Sequence, residues 1–284
     1  ADFFIDATGF RRVLATKLGW KYKEYADYPI RKTWVCQRSY GDPTTELVNH
    51  TQSIAEPFGW RFKVCLYHRM GTGYSFSPSH VSDETVLDYF KERTDNRLME
   101  PRLISWTPGR IETPAKGNVA LIGLSIGFVE ALEATSLLVI TESIKTISDV
   151  LAGERSLSSY NDKITGLLDN IYDFIIVHYT LSNRDDTDFW KDMQELGRKD
   201  NHLEMIKDKF KKLKFGQSLG FPDFLWGQVA KAWGVDLSTW NRTDINADNV
   251  NRTYDYFISE FNKHQQISAD CENTYQWLKK NIYN

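Results

Sequence analysis

Only three cysteines occur in 284 residues, and Cys36, Cys65 and Cys271 stand far apart with neither a C-x-x-C pair nor a histidine cluster beside them. That spacing supports no zinc site and no disulfide framework, and no metal is expected. It suits a reducing, cytoplasmic setting. Excess charge is lacking too, since 35 Lys and Arg against 38 Asp and Glu leave a net charge of −3. This removes the electrostatic argument for nucleic acid or an anionic membrane surface. The local basic run at residues 207–214, KDKFKKLK, reads as a solvated helix face. Asn49, Asn241 and Asn251 begin N-x-T triplets, but no secretory signal precedes them and such triplets are common by chance. The one long apolar run, residues 119–140, holds Glu130 and Glu133 and is broken by Gly and Ser. Each central acid costs about 2.5–3.5 kcal/mol in a bilayer, so a membrane span is rejected.

What is present is a globular composition, 41% hydrophobic and 14% aromatic, enough for a large core in one or two domains. The segment KGNVALIGLSIGFVEALEATSLLVI, residues 116–140, carries the most information. A β-branched strand at 119–122 runs into a turn with Gly123, Ser125 and Gly127. A helix is expected next, with an apolar stripe of Phe128, Ala131, Leu132, Leu137, Leu138 and Ile140. Strand, glycine turn and helix N-terminus form a unit that holds phosphates and other anions. Glu130 and Glu133, three apart, would share a helix face, and a carboxylate on a buried face needs a partner or a raised pKa. Glu130 reads as a helix cap or the partner of an arginine, and Glu133 as either structural or a buried functional acid.

The chain opens on ADFFIDATGF, read as a buried strand at residues 3–5 and a small-residue turn. An α/β sheet seldom begins so abruptly, and the expectation is that residues stood before Ala1. TWVCQRSY, WRFKVCLYHR and TGYSFS then read as an antiparallel sheet. Residues 83–97 read as a helix and 103–106 as a strand. Apolar residues at 164, 167, 168, 171, 174 and 175, with His178 following, have helix spacing. Trp226, Trp233 and Trp240, seven apart, read as the core stripe of one helix.

Taken in order, these segments resemble the flavin-dependent halogenases of the tryptophan-halogenase family. DFFIDATGFRR resembles that family's central strand and turn, and GWRFKV at residues 59–64 sits where the family carries W-x-W-x-I-P. RMGTGYSFS resembles R-F-G-T-G-Y-x-x-S. IGLSIGFVEALEATSL resembles I-G-x-S-S-x-F-x-E-P-L-E-S-T-G, and SNRDDTDFW resembles S-x-R-x-D-T-P-F-W. The resemblance runs over about residues 2–200.

It implies the C-terminal portion of an α/β, Rossmann-like FAD-binding fold of the glutathione-reductase type, with an antiparallel substrate-side sheet and a helical C-terminal region. The implied division is residues 1–150 and 151–284. The implied activity is halogenation of a small indole- or phenol-like aromatic, using FAD as FADH2 from a separate flavin reductase, oxygen and a halide such as chloride. A homodimer is compatible with it. Residue by residue, Glu133 matches the catalytic acid, and Thr135 and Ser136 match the pair whose N–H groups hold the halide. Gly9, Gly123, Leu124 and Ser125 match cofactor-binding turns, and Tyr179, Phe189 and Trp190 match substrate-side aromatics. Trp60 and Phe62 fall in the segment that shields the flavin.

The departures are Arg61-Phe62-Lys63-Val64-Cys65 after Trp60 in place of x-W-x-I-P, Ala131 for Pro, Ala134 for Ser and Ser136 for Gly. The last tightens the allowed backbone angles. The G-x-G-x-x-G fingerprint and the family's catalytic lysine lie N-terminal to the resembling region. A flavoprotein hydroxylase on the same scaffold and a non-catalytic truncated flavoprotein are the alternative readings.

Overall fold

The computed structural model describes residues 2–94, 99–199 and 272–283, with a few more between 252 and 266. The tryptophan stripe at 226–240 and the basic run at 207–214 lie outside the described residues. In chain order the regular elements are β1 (Phe4–Asp6), α1 (Val13–Lys17), β2 (Tyr22–Glu24), β3 (Lys32–Arg38) and α2 (Pro43–Glu46). There follow β4 (Gln52–Glu56), β5 (Gly59–Leu66), β6 (Arg69–Phe76), α3 (Asp83–Glu92), β7 (Arg102–Ser105), β8 (Gly109–Ile111), β9 (Ala115–Lys116), β10 (Val119–Leu121) and β11 (Gly127–Phe128). Three longer helices, α4 (Thr135–Leu151), α5 (Leu157–Thr180) and α6 (Asp188–Lys199), precede α7 (Thr274–Asn281).

The antiparallel sheet read from the alternating segments is present, five strands in the order β4-β5-β6-β3-β7. Side chains alternate across a strand, so successive residues face opposite sides. Trp60 packs into the main core with Tyr28, Ile111 and the α5 stripe, with the half-buried Phe62 against it. Tyr74 and Phe76 join Cys36, Val86 and Phe90 in a second cluster beneath α3. Both faces are therefore covered, which explains why Arg61 is as buried as Trp60. It is paired with Glu56 at 2.9 Å. The start of α3 is fixed by Ser82, whose Oγ accepts from the Thr85 N–H, and Asp83 and Glu84 suit the positive end of its dipole.

β1 pairs in parallel with β10, with Phe4 opposite Val119 and Asp6 opposite Leu121. The expectation that residues 3–5 are buried is corrected: Phe4 and Ile5 are 45% and 43% exposed, and of the strand only Asp6 is buried. The strand forms because it has a hydrogen-bonding partner in β10. It stays uncovered because no element among the described residues packs over Phe4 and Ile5.

α5 is the molecule's main strut, with Ile164, Leu167, Leu168, Ile171, Phe174 and Ile175 buried as their spacing predicts. Its polar residues set its place. Asn161 both accepts from and donates to the backbone of Ala115 in β9, at 2.7 and 2.9 Å. Asp169 takes both arms of Arg110 from β8 at 2.9 and 2.7 Å, and the Tyr25 hydroxyl at 2.7 Å. One apolar cluster draws on residues before and after position 150.

Candidate active site

The segment between β10 and α4 is less helical than its composition suggests. β10 leads into a single 3₁₀ turn at Gly123–Ser125, then β11, then a second 3₁₀ turn at Leu132–Ala134, and α4 begins only at Thr135. This corrects the continuous helix expected from the stripe beginning at Phe128. β11 pairs with β8, opposing Gly127 to Arg110, and a Cβ at Gly127 would lie 2.5 Å from the Gly109 carbonyl oxygen. That close approach requires glycine and commits the chain to strand at that point.

Glu130 and Glu133 consequently share no helix face. Glu130 is fully buried, and its Oε2 accepts from Trp60 Nε1 at 3.1 Å while Oε1 accepts from the Tyr179 hydroxyl at 2.8 Å. The expected cap or arginine partner is thus corrected to an indole and a phenol. Burial pushes this carboxyl up to about 7, against the pull of the hydrogen bonds from Tyr179 and Trp60. The Tyr28 hydroxyl, buried without a hydrogen bond among the described residues, faces the same carboxyl.

Glu133 is not the buried acid expected, because its side chain is 48% exposed. It stands in the left-handed region at φ 61°, followed by Ala134 at φ 50°. Two such non-glycine residues in succession turn the chain sharply into α4 and lift the carboxylate out of the apolar run. Its Oε1 lies 3.7 Å from His178 Nε2. Contact with His178 holds this carboxyl below the usual glutamate range, against the opposing effect of partial burial.

Thr135 and Ser136 open α4, a helix of 17 residues whose N-cap, Ala134, has no side chain able to cap it. The first N–H groups of α4 thus receive no hydrogen bond from an N-cap side chain, the arrangement that suits an anion. Ser136 lies in regular helix, so the backbone strain falls on residues 133 and 134 instead.

The two turns named for the cofactor meet each other. The Gly9 N–H donates to Ser125 Oγ at 2.9 Å, and the Gly123 N–H donates to Ser143 Oγ at 3.2 Å. Leu124 sits between them in the same 3₁₀ turn. Asp6 organises the first turn, accepting from the Thr8 N–H and hydroxyl at 2.9 and 2.6 Å and from the Leu14 N–H at 2.7 Å. Burial works against its charge, but these hydrogen bonds outweigh it and keep the Asp6 carboxyl below its ordinary value. Beyond Gly9 there is open space, with no atom within 4 Å of where a Cβ would stand.

Tyr179, Phe189 and Trp190 come together as one aromatic knot, with Phe189 edge-on to both neighbours at 6.1 and 5.2 Å and Tyr179 tilted over Trp190 at 5.8 Å. All three are buried, and Trp190 Nε1 donates to the Glu56 carbonyl at 3.0 Å. Trp60 tilts over Phe62 at 5.7 Å. Tyr28 was missed in the sequence, since it lies in an irregular stretch with no pattern around it. His178 was counted only as a member of the helix stripe. The signal available was two adjacent polar rings, His178 and Tyr179, ending an otherwise apolar helix face. Among the described residues, no helix is long and apolar enough to cross a membrane.

The tryptophan halogenase family matches residues 1–245 of this chain. The chain is 31% identical over 219 residues to the tryptophan 6-halogenase SttH of Streptomyces toxytricini, covering 72% of this chain and 41% of that protein. It is 29% identical over 214 residues to the tryptophan 7-halogenase RebH of Lentzea aerocolonigenes, covering 40% of that protein. It therefore spans about two-fifths of the length of these relatives. Among solved structures, the flavin-dependent halogenase BrvH from Brevundimonas sp. BAL3 superposes with a TM-score of 0.79 at 25% identity, over 99% of this chain and 58% of that one. The α/β architecture is therefore that of the flavin-dependent halogenases, and the chain belongs to the tryptophan halogenase family.

Proposed function

We propose that this chain is the substrate-side portion of an FAD-dependent halogenase that places a halogen on a small indole- or phenol-like aromatic. The observation that carries this reading is the juxtaposition of Glu133, lifted by a left-handed turn, with the uncapped N-terminus of α4 at Thr135. A carboxylate for proton transfer and a set of free N–H donors for an anion are thereby one turn apart.

The halide fits these residues, because the Thr135 and Ser136 N–H groups offer oriented donors and the helix dipole favours negative charge. The flavin fits in part: the Gly9 turn offers glycine backbone and open space, while Gly123 is closed over by Ile140 and the dinucleotide fingerprint is not in this sequence. Bound reduced flavin, recharged by a flavin reductase, supplies with oxygen the oxidising power that turns halide into an electrophile. The work of this chain is to position and to exclude. Trp60, locked to Glu130, and Phe62 form the apolar shield, and Tyr179, Phe189 and Trp190 the aromatic wall on the substrate side. Glu133 orients the electrophile and takes the ring proton as the halogen enters.

The test is incubation of the protein carrying this chain with FAD, a flavin reductase, NADH, oxygen, chloride or bromide and a panel of indoles and phenols. Mass spectrometry should show replacement of hydrogen by halogen, and Glu133→Gln should abolish it. Hydroxylated product without halogenated product would favour a hydroxylase and sink the proposal.

A further inference from the structure

We infer that His178 is the positioning residue for Glu133, anchored by its own helix so that its free nitrogen holds the carboxyl and exchanges a proton with it. The inference rests on the assignment of Glu133 as the acid of the site. His178 lies in the last turn of α5, with Nδ1 2.8 Å from the carbonyl oxygen of Phe174, one turn back. A carbonyl only accepts, so Nδ1 carries the hydrogen and donates. The ring is also fixed edge-on against Phe174, with centroids 4.8 Å apart and planes at 88°. Both restraints leave Nε2 as the free end, and Nε2 is the atom that meets Glu133 Oε1 at 3.7 Å.

That separation is an ion-pair contact, longer than a hydrogen bond, of the kind that tightens when substrate closes a site. The next residue, Tyr179, holds Glu130. One turn of α5 therefore grips both acids of the EALE segment, the buried one by a phenol and the emerging one by an imidazole. The charged groups that His178 faces are Glu133 and, more distantly, Glu130.

Because Nδ1 is committed as a donor, a single proton has two places in the pair, Nε2 or the carboxyl oxygen. In the substitution, the bond from halogen to ring carbon forms as the O–X bond of hypohalous acid breaks, its electron pair leaving on oxygen. The ring C–H proton passes to Glu133 and its electron pair restores the aromatic ring. The Nε2 proton of the pair passes to the departing hydroxide, which becomes water, and the ring proton on Glu133 then moves to the vacated Nε2. His178 thus returns Glu133 to the carboxylate for the next cycle.

The experiment follows the Glu133 carboxyl by carbon-13 NMR titration in this chain, as wild type, His178→Gln and His178→Ala, beside turnover in the halogenation assay. The midpoint of Glu133 should rise in His178→Ala, and turnover should fall on the order of 10²-fold with substrate KM unchanged. His178→Gln, which keeps a nitrogen donor but cannot relay a proton, should hold the midpoint near its wild-type position and still lose turnover. An unmoved Glu133 midpoint in both variants overturns the inference, as does full turnover in His178→Ala. If His178→Ala fails to fold, the His178→Gln turnover decides alone. Full halogenation by Glu133→Gln would instead sink the assignment of Glu133, while the midpoint shift would still report the contact.

Discussion

The Tyr179 hydroxyl donates to Glu130 at 2.8 Å, and this bond joins the last turn of α5 to the segment that leads into α4. Trp60 holds the other oxygen of the same carboxyl, so sheet, helix and site segment meet on one buried acid. An acid placed there couples the molecule's stability to pH. Its value in the folded chain rises from the ordinary 4.5 to about 7, driven by burial. Between those limits the folded state binds a proton that the unfolded state has lost. The stability Glu130 contributes is therefore complete below pH ~4.5 and is lost as pH rises through about 7. A shift of this size corresponds to about 3 kcal/mol.

Glu130→Gln keeps an acceptor for Trp60 or Tyr179 and removes the charge. Its unfolding free energy relative to wild type should therefore improve as pH rises from ~4.5 to about 7 and level off above that. Urea unfolding across that range checks it. A parallel pair of curves would show that Glu130 is ionised, or neutral, in both states alike. The Tyr28 hydroxyl facing the carboxyl favours its charged form and so works against the rise driven by burial. Tyr28→Phe should accordingly move the inflection to higher pH.

Much of this architecture was legible because it is periodic. The α5 stripe from Ile164 to Ile175 and the alternation through β5 and β6 are local patterns, and the structure follows them. The EALE segment was not legible, because what decides it is distant. Glu130 is claimed by Trp60, 70 residues earlier, and by Tyr179, 49 residues later, and no spacing near Glu130 announces either. The apolar run there also satisfies a helix stripe while Gly127 is held as strand by its partner Arg110. Tertiary contact overrode local pattern, as it does where a chain is bent to present a side chain.

Trp190 separates core from pocket. Its ring packs on Phe189 and Tyr179, lies under the Arg184 guanidinium at 4.9 Å, and its indole N–H is held by Glu56. Trp190→Ala should cost about 3–5 kcal/mol, the range for truncating a buried tryptophan. Thermal denaturation measures this directly. A loss under 1 kcal/mol with an altered site of halogenation would instead make Trp190 a pocket wall with little structural share.

Gly123 sets how closely α4 can lie on the turn after β10. Its φ is +59°, and a Cβ there would stand 2.9 Å from Ile140 Cγ1. Gly123→Ala should destabilise by about 1–2 kcal/mol from the left-handed backbone alone, with crowding added. Ile140→Ala removes the crowding atom, so the double variant should recover the crowding share while the backbone share persists. Additive losses in a double-mutant cycle would show that the two residues do not press on each other.

Ala134 offers the sharpest test of whether the strained turn serves the site. At φ 50° an L-residue is disfavoured by roughly 1–2 kcal/mol, and glycine is not. The turn persists because Glu133 and Ala134 are committed on both sides, to the buried Leu132 and to the first turn of α4. Ala134→Gly relieves the strain but gives the chain more freedom when unfolded, so the net gain should be about 0.5–1 kcal/mol. The same change loosens the hinge beneath Glu133, whose exposed carboxyl is otherwise restrained by His178. The variant should therefore melt higher and halogenate more slowly, with the Glu133 midpoint moving up toward the ordinary glutamate value as the contact with His178 weakens. Thermal melting, turnover and the carboxyl titration read these three effects independently. A variant that melts lower would mean that the left-handed backbone at 134 is no strain at all, and that the loop, rather than its rigidity, is what α4 needs to begin.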